Sequence, residues 1–231
     1  MASRGRAGRV NGALRVRGGA FLVGAIALWA GARVMACASG LTLIPSADVV
    51  PARNWSVEFQ VDGTLRGGSL DTYILNTEFG LWNRFEAGVD FDLSEGAEDR
   101  VLLNAKVVLA AAKDGKWALA AGFGESGEVR FKADPYLVFV RDLGAVRLHG
   151  GALRTGGAVR GFCGLDGPIG ERFWWMVDHT VGRENESSAG GYWQMHPQVG
   201  LLAAAIFPNA GGPARFTVHL VLSGPFRGAA H

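Results

Sequence analysis

Residues that could do chemistry are scattered along this sequence rather than grouped. Glu86 and Asp90 share one face of a predicted strand, but four residues at roughly 3.3 Å each separate them by about 13 Å, too far for a catalytic carboxylate pair. Residues 124–127 read GESG, which lacks one spacer of the nucleophile-elbow pattern. The five histidines are His149, His179, His196, His219 and His231. None stands close to another histidine or to a cysteine, so the sequence predicts no catalytic residues, no metal site and no cofactor.

The composition favours a turn-rich β protein and disfavours a nucleic-acid partner. Hydrophobic residues make up 48% of the 231 residues and glycine occurs 35 times. Charged residues reach 19%, below the roughly 25% typical of soluble domains. The formal net charge is +2, with much of the positive charge near the N-terminus. Because no basic patch is interleaved with aromatic residues, we expect no nucleic-acid partner.

The first 38 residues have the pattern of a secretory signal peptide. Five arginines are followed by the 13-residue apolar run Ala20–Ala32 and by Ala36-Cys37-Ala38, which fits a small-x-small cleavage site. The run is shorter than the roughly 17–25 residues of a membrane-spanning helix. We predict a signal peptide at 1–38 and export, with an uncleaved signal anchor or a lipidated Cys37 as alternatives. After cleavage Cys163 is the one cysteine left, so no intrachain disulfide is expected.

The elements that would position any site are β-strands. Over Thr72–Leu93 apolar and polar residues alternate on either side of a turn at 82–84, which predicts a hairpin with one apolar and one polar face. This pattern recurs along the chain with short connections, although Asp166-Gly167-Pro168 predicts a loop. The sequence therefore predicts an all-β, antiparallel up-and-down (meander) β-barrel of about 10–12 strands over 54–231, closed because closure removes exposed edges. Residues 39–53, which contain two prolines, are predicted to be an extended lead-in or a plug.

Alternation alone does not decide whether such a barrel lies in water or in a membrane. In a membrane barrel the apolar face contacts lipid and the polar face lines the lumen, and the predicted export together with aromatics near strand ends favours this arrangement. The hairpin would then contact lipid through Tyr73, Leu75, Phe79, Phe85, Val89 and Phe91. The predicted lumen-facing residues are Glu58, Glu78, Glu86, Asp90, Lys106, Arg147, His149 and Asp178. The predicted interface aromatics are Trp55, Tyr73, Trp82, Trp117, Tyr136 and Trp193.

Four stretches carry a family resemblance. They are the lead-in GLTLIPSADVVP, the strand RFEAGVDFDL, the segment LLNAKVVL and the run GFCGLDGPIGERFWWMVDHTVGRENESSAGGYW. Together they resemble a group of uncharacterised bacterial outer-membrane β-barrel proteins with a Gly-x-x-x-Ile-Pro-Thr-Ala start, a Glu-x-Gly-x-Asp strand, an Asn-x-Lys strand and a Gly-Leu-Asp turn. Ser46 stands where that group usually has threonine. The group is distantly similar to exopolysaccharide-associated outer-membrane proteins, so the resemblance implies an outer-membrane barrel and, more remotely, glycan export; it implies no catalytic residue.

Three functions are compatible with these observations. The first is an outer-membrane barrel with a structural or narrow-pore role, whose partners would be the lipid bilayer and a small polar solute or glycan. The second is a soluble periplasmic β-barrel that binds an apolar ligand. The third is a membrane-embedded enzyme acting on lipid or glycan, for which Ser223 and His219 are an available serine and histidine. Because no catalytic constellation stands out, the sequence favours the first, non-enzymatic function.

Overall fold

The structure is a computed structural model that describes residues 40–97, 100–127 and 134–226. These residues all belong to one compact unit, Val34–His231. The predicted signal peptide at 1–38 lies outside the described residues, so cleavage, export and lipidation of Cys37 stay predictions. No helix within the described ranges is long and apolar enough to cross a membrane.

The described residues form a closed, all-β barrel. Its strands are β1 (Asn54–Thr64), β2 (Leu70–Trp82), β3 (Phe85–Asp92), β4 (Val101–Ala111), β5 (Trp117–Gly127), β6 (Asp134–Asp142), β7 (Arg147–Thr155), β8 (Ala158–Ile169), β9 (Phe173–Thr180), β10 (Glu186–His196), β11 (Val199–Pro208) and β12 (Arg215–Pro225). Each strand pairs antiparallel with its sequence neighbours, and β12 pairs with β1 along the full length of β1. The predicted meander barrel of about 10–12 strands is confirmed, with twelve strands.

The loop predicted at Asp166-Gly167-Pro168 is wrong, because these residues continue β8. Asp166 pairs with Arg147 on β7, and Pro168 pairs with Trp174 on β9. The pairing of β8 with β7 ends at Asp166, so beyond this point β8 has a neighbour on one side only. Proline, which lacks a backbone N–H, is tolerated in such an edge-like position.

The two ends of the barrel carry connections of different length. We call the end where β1 begins and β12 ends the proximal mouth, and the opposite end the distal mouth. Connections at the proximal mouth are two to five residues long, whereas those at the distal mouth are two to eight residues long. Short turns at one end and longer loops at the other are typical of outer-membrane barrels.

Burial along the strands is inverted relative to that of a soluble barrel. On β4, Lys106 is 2% exposed, whereas Val107 and Leu109 are 37% and 52% exposed. On β12, His219 is buried and the adjacent Leu220 is exposed. Successive side chains of a strand point to opposite faces, so charged groups lie inside this barrel and large apolar groups cover its outside. The predicted lipid-facing row follows the same rule: Leu75 pairs across strands with exposed Phe59 and Phe91.

Aromatic rings gather on the outside near the mouths. Trp82 and Trp193 are exposed near the proximal mouth, and Trp117 stacks there on Phe139 with the ring centroids 6.2 Å apart. Trp55 also begins its strand at the proximal mouth, whereas Tyr73 is near the distal mouth. These positions are where interfacial aromatics occur in membrane barrels.

Tyr136 corrects the predicted set of interface aromatics. It occupies the same face of β6 as Val138 and Val140, which are 0% and 5% exposed, and it packs against the buried interior. Its hydroxyl reaches toward β5, where Gly122 leaves the space that a side chain would fill. Strand alternation, and not the aromatic residue type, therefore places Tyr136 inside the barrel.

Candidate functional site in the barrel interior

The barrel interior contains residues 40–51, which precede β1 and which we call the lumen segment. It contacts β3 through Glu86, β7 through Arg147 and β9 through Asp178. Since β3 and β9 lie six strands apart in a ring of twelve, the segment touches opposite sides of the wall. Its most buried apolar residues, all 2–4% exposed, are Leu41, Ile44, Ala47 and Val50. A segment with these contacts and this burial lies within the lumen.

Two carboxylates of the wall bind the backbone of the lumen segment. The backbone N–H groups of Thr42 and Leu43 both donate to Asp178 Oδ2, at 2.9 and 3.1 Å. Nearer the proximal mouth, the Val50 N–H donates to Glu86 Oε2 at 2.6 Å. Hydrogen bonds with an ionised acceptor are stronger than neutral ones, so the segment is fixed at two heights by charge-assisted contacts.

A third contact to the lumen segment is an ion-pair network around Arg147. The Arg147 Nη1 atom lies 2.7 Å from Asp48 Oδ2 of the segment, and Nε donates to Asp166 Oδ1 at 2.9 Å. His149 Nε2 lies within 2.9 Å of the same Asp166 oxygen. The Arg147 guanidinium thus joins the wall of the barrel to the segment. Its planar shape and several N–H donors allow it to bind both carboxylates at once.

Glu86 and Lys106 form an ion pair on neighbouring strands inside the barrel. The Lys106 Nζ atom is 3.1 Å from Glu86 Oε1, and the side chains are 1% and 2% exposed. The two residues face each other directly in the β3–β4 register. Burial of either charge alone would be costly, so the pair depends on both partners.

The other interior carboxylates also have hydrogen-bond partners. Asp90 accepts from the Asn104 side chain at 2.7 Å and from the backbone N–H of Thr77 at 2.9 Å. Glu58 Oε1 lies 2.7 Å from His219 Nδ1 and accepts from Asn76 Nδ2 at 3.2 Å. These contacts link β1, β2, β3, β4 and β12 through one polar surface.

The structure does not bring Ser223 and His219 together. They lie four residues apart on β12, about 13 Å at the usual rise per residue. The ring nitrogens of His219 are engaged by Glu58 and by Thr217 Oγ1, which is 2.6 Å from Nε2. Thr217 is itself only 2% exposed, so its hydroxyl is buried in the wall and binds the imidazole structurally.

A cavity of about 260 Å³ separates residues 40–45 of the lumen segment from the polar side of the wall. Its polar lining consists of Ser56, Glu58, Gln60, Asn76, Glu78, Glu86, Asp90, Asn104 and His219. A second space of about 540 Å³ lies at the distal mouth and shares Leu43, Pro45, Gly124 and Tyr136 with the first. The shared lining residues place the acidic cavity next to the space at the distal mouth.

The remaining part of the wall packs against the lumen segment through apolar side chains as well as through Arg147 and Asp178. Leu41, Ile44 and Ala47 belong to one buried cluster with wall residues of β5, β6 and β8–β12. The wall residues are Ala120, Val138, Val140, Phe162, Met176, Tyr192, Leu202, Ala204 and Val221. The lumen therefore has an acidic side that is left open beside the segment and a second side, with both apolar and charged side chains, that the segment covers.

The structure places the eight predicted lumen residues in or at the interior. Six of them are at most 8% exposed: Glu58, Glu86, Asp90, Lys106, His149 and Asp178. Glu78 lines the acidic cavity, and Arg147 contacts the lumen segment. Sequence reasoning missed Asp166, Asn104, Thr217 and the role of His219 in the network. Strand alternation was the available signal for Asn104, Thr217 and His219, whereas the supposed loop concealed Asp166.

Comparison with known proteins adds information on the fold. No family model and no curated protein matches this sequence. Among solved structures, the KdgM porin matches with a TM-score of 0.50 and 11% identity, over 72% of this chain and 98% of that one. The KdgM porin in complex with disordered oligogalacturonate matches with a TM-score of 0.52, at the same identity and coverage. An outer membrane channel from Pseudomonas putida F1 matches with a TM-score of 0.45 and 15% identity, over 77% of this chain and 98% of that one. The chain thus shares the fold of outer-membrane β-barrel porins.

Proposed function

We propose that this protein is a non-enzymatic outer-membrane channel that passes small polar solutes through the acidic side of its lumen. The inverted burial carries the proposal: the Glu86–Lys106 ion pair is inside, and large apolar side chains such as Leu137 and Phe139 are exposed outside at 47% and 44%. Exposed apolar surface of this extent is unfavourable in water and favourable in a bilayer. The shared porin fold supports the same location.

The same observation argues against a soluble barrel that binds an apolar ligand. Such a barrel would place apolar side chains around a ligand cavity and polar side chains toward water. Here the open cavity is lined by Glu58, Glu78, Glu86 and Asp90, while the lumen segment covers the apolar cluster of the wall. The cavity therefore suits a polar solute.

The charge of the lining narrows the class of solute. Four carboxylates border a cavity of about 260 Å³, and the basic residues Lys106 and His219 beside them are paired with Glu86 and Glu58. Rings of carboxylates favour cations over anions in pores. Oligogalacturonate, the ligand in the KdgM complex, is a polyanion. We therefore propose that this protein passes cations and neutral solutes, such as small sugars, rather than acidic glycans.

Membrane fractionation and bilayer recording together test the proposed function. We expect the protein to remain in the outer-membrane fraction after salt and carbonate washing and to require detergent for release. We expect the purified protein in planar bilayers to give small, cation-preferring currents. Release by carbonate alone would contradict the membrane location. Anion-preferring currents would contradict the proposed passage of cations.

Narrowing the acidic cavity is expected to reduce the current. Ile74 lines the cavity, whereas Leu75 beside it is paired with outward-facing Phe59 and Phe91. Because pore diameter limits conduction, Ile74→Trp should lower single-channel conductance by about twofold or more. The matched variant Leu75→Trp adds the same bulk outside the barrel and should leave conductance unchanged. Equal currents from the two variants would place the conduction path elsewhere.

A further inference from the structure

The lumen segment is held in the barrel without being part of its sheet. Leu41, Ile44, Ala47 and Val50 recur at every third residue, and all four are buried. The Leu41 N–H donates to the Ile44 carbonyl at 2.9 Å, so residues 41–44 form a turn within the segment. The described bridge of the segment joins Gly40 to Pro45 within the segment itself. The segment is thus a short peptide that contains one turn and is bound by side chains of the wall.

The wall is shaped to receive this peptide. A side chain at Gly164 on β8 would place its Cβ 2.7 Å from Ile44 Cδ1 and 2.9 Å from Leu41 Cδ2. Because glycine has no Cβ, the side chains of Ile44 and Leu41 can occupy this space. At the proximal mouth, a Cβ at Gly80 would overlap the carbonyl oxygens of Val50 and Pro51. Two glycines on different strands therefore form niches for the two ends of the lumen segment.

The polar contacts that the structure describes between wall and segment are non-covalent. Asp178 and Glu86 accept three backbone N–H groups, and Arg147 pairs with Asp48. Each is an exchangeable contact that water can replace when the segment leaves. By contrast, every strand of the wall is held by ladders on both of its sides. The segment is therefore the part of the interior that can leave while the barrel stays intact.

We propose that the lumen segment is a releasable plug, a tethered peptide occupying a binding site on the inner wall. This inference rests on the proposed channel function and adds its regulation. The chain joins the segment to β1 at the proximal mouth, so the plug leaves through that mouth. Its departure uncovers the apolar wall around Val138, Phe162 and Leu202 opposite the acidic wall. The open channel is then wider, and apolar surface lies beside Asp178 and Arg147 on the uncovered side, so the channel accepts larger amphipathic cations that the plugged channel excludes.

A plug-side substitution tests the proposal without altering the wall. Ile44→Asp introduces a carboxylate into the apolar niche at Gly164. Burial there removes the hydration of the carboxylate, which is energetically costly. Val49→Asp makes the same change at a half-buried position of the same segment and serves as the matched control. In planar bilayers we expect Ile44→Asp to raise the fraction of time spent in a large-conductance state by about tenfold or more, with Val49→Asp close to the natural protein.

A peptide added in trans distinguishes release of a plug from damage to the barrel. The synthetic peptide GLTLIPSADVV, residues 40–50, should close the large state of the Ile44→Asp variant when it is added on one side of the bilayer, and a scrambled peptide should not. Asp48→Ala, which removes the contact to Arg147, is the second variant if Ile44→Asp fails to form a heat-modifiable barrel; it should open the large state more often than the natural protein, with closure by the same peptide.

The possible results separate the plug from the channel. Steady currents of equal size from the natural protein and both plug variants would overturn the plug and leave the channel function standing. An inserted, heat-modifiable barrel that conducts in no variant would overturn both. A large state that the peptide fails to close would show that the substitution opened the wall rather than the binding site, and would overturn the plug.

Discussion

Replacing Lys106 with methionine is expected to lower the free energy of unfolding by about 3–5 kcal/mol. Lys106 and Glu86 face each other on β4 and β3, 3.1 Å apart and almost fully buried. The substitution would leave the Glu86 carboxylate in the interior without its ammonium partner, and an uncompensated buried charge is strongly destabilising. Guanidinium unfolding of the protein in phospholipid vesicles, followed by tryptophan fluorescence, measures the change.

Two control variants isolate the cause. Lys116→Met breaks an exposed pair with Asp114 at 3.9 Å and should change the free energy of unfolding by about 0.5 kcal/mol or less. The double variant Lys106→Met/Glu86→Gln removes both charges and keeps an acceptor for the Val50 N–H, so it should recover most of the loss. A single variant as stable as the natural protein would mean that water in the adjoining cavity solvates the unpaired Glu86 carboxylate.

Placing arginine at Leu137 is expected to destabilise the barrel by about 2–4 kcal/mol when the barrel is in a bilayer. Leu137 lies near the middle of β6 on the outer face, where it is 47% exposed. In a membrane that exposure is to hydrocarbon, which solvates a guanidinium poorly, whereas in water the same substitution costs within about 0.5 kcal/mol. The same vesicle unfolding experiment measures the difference.

Depth along the barrel supplies the control for this variant. Leu143 is 60% exposed in the turn after β6 at the proximal mouth, where the membrane interface would lie. Leu143→Arg should therefore cost only about 0–1 kcal/mol. If Leu137→Arg proved as harmless as Leu143→Arg, the outer face of β6 would be in water, and the soluble barrel would become the better description.

The two variants probe the two faces of one wall. Lys106→Met removes a cation that neutralises Glu86 inside the barrel. Leu137→Arg adds a cation to the outer face, where hydrocarbon solvates it poorly. A soluble barrel predicts the opposite sensitivity, since its exterior tolerates charge and its interior carries none. Loss of stability in both variants would therefore support the membrane barrel more strongly than either result alone.

The candidate site shows where sequence patterns reach their limit. Strand alternation placed Glu58, Glu86 and Asp90 on one face, and the structure has that face inside. The same rule applied to β6 places Tyr136 with the inward-facing Val138 and Val140, whereas its aromatic residue type predicts a position at the membrane interface. At Asp166 the adjacent glycine and proline suggested a loop, although the strand continues because Arg147 pairs with Asp166 in register.

The sequence by itself determined the strand content, the two-faced character of each strand and the short connections that make a meander. These properties are local, because the side-chain period of two and the chemistry of turns are fixed by the backbone within a few residues. Only the tertiary structure decided which groups meet inside. Thr42 reaches Asp178 across 136 residues, and the niche for Ile44 is a glycine on β8. Such contacts follow from the closure and stagger of the whole barrel, which bring distant strands around one axis and leave no trace in the local pattern.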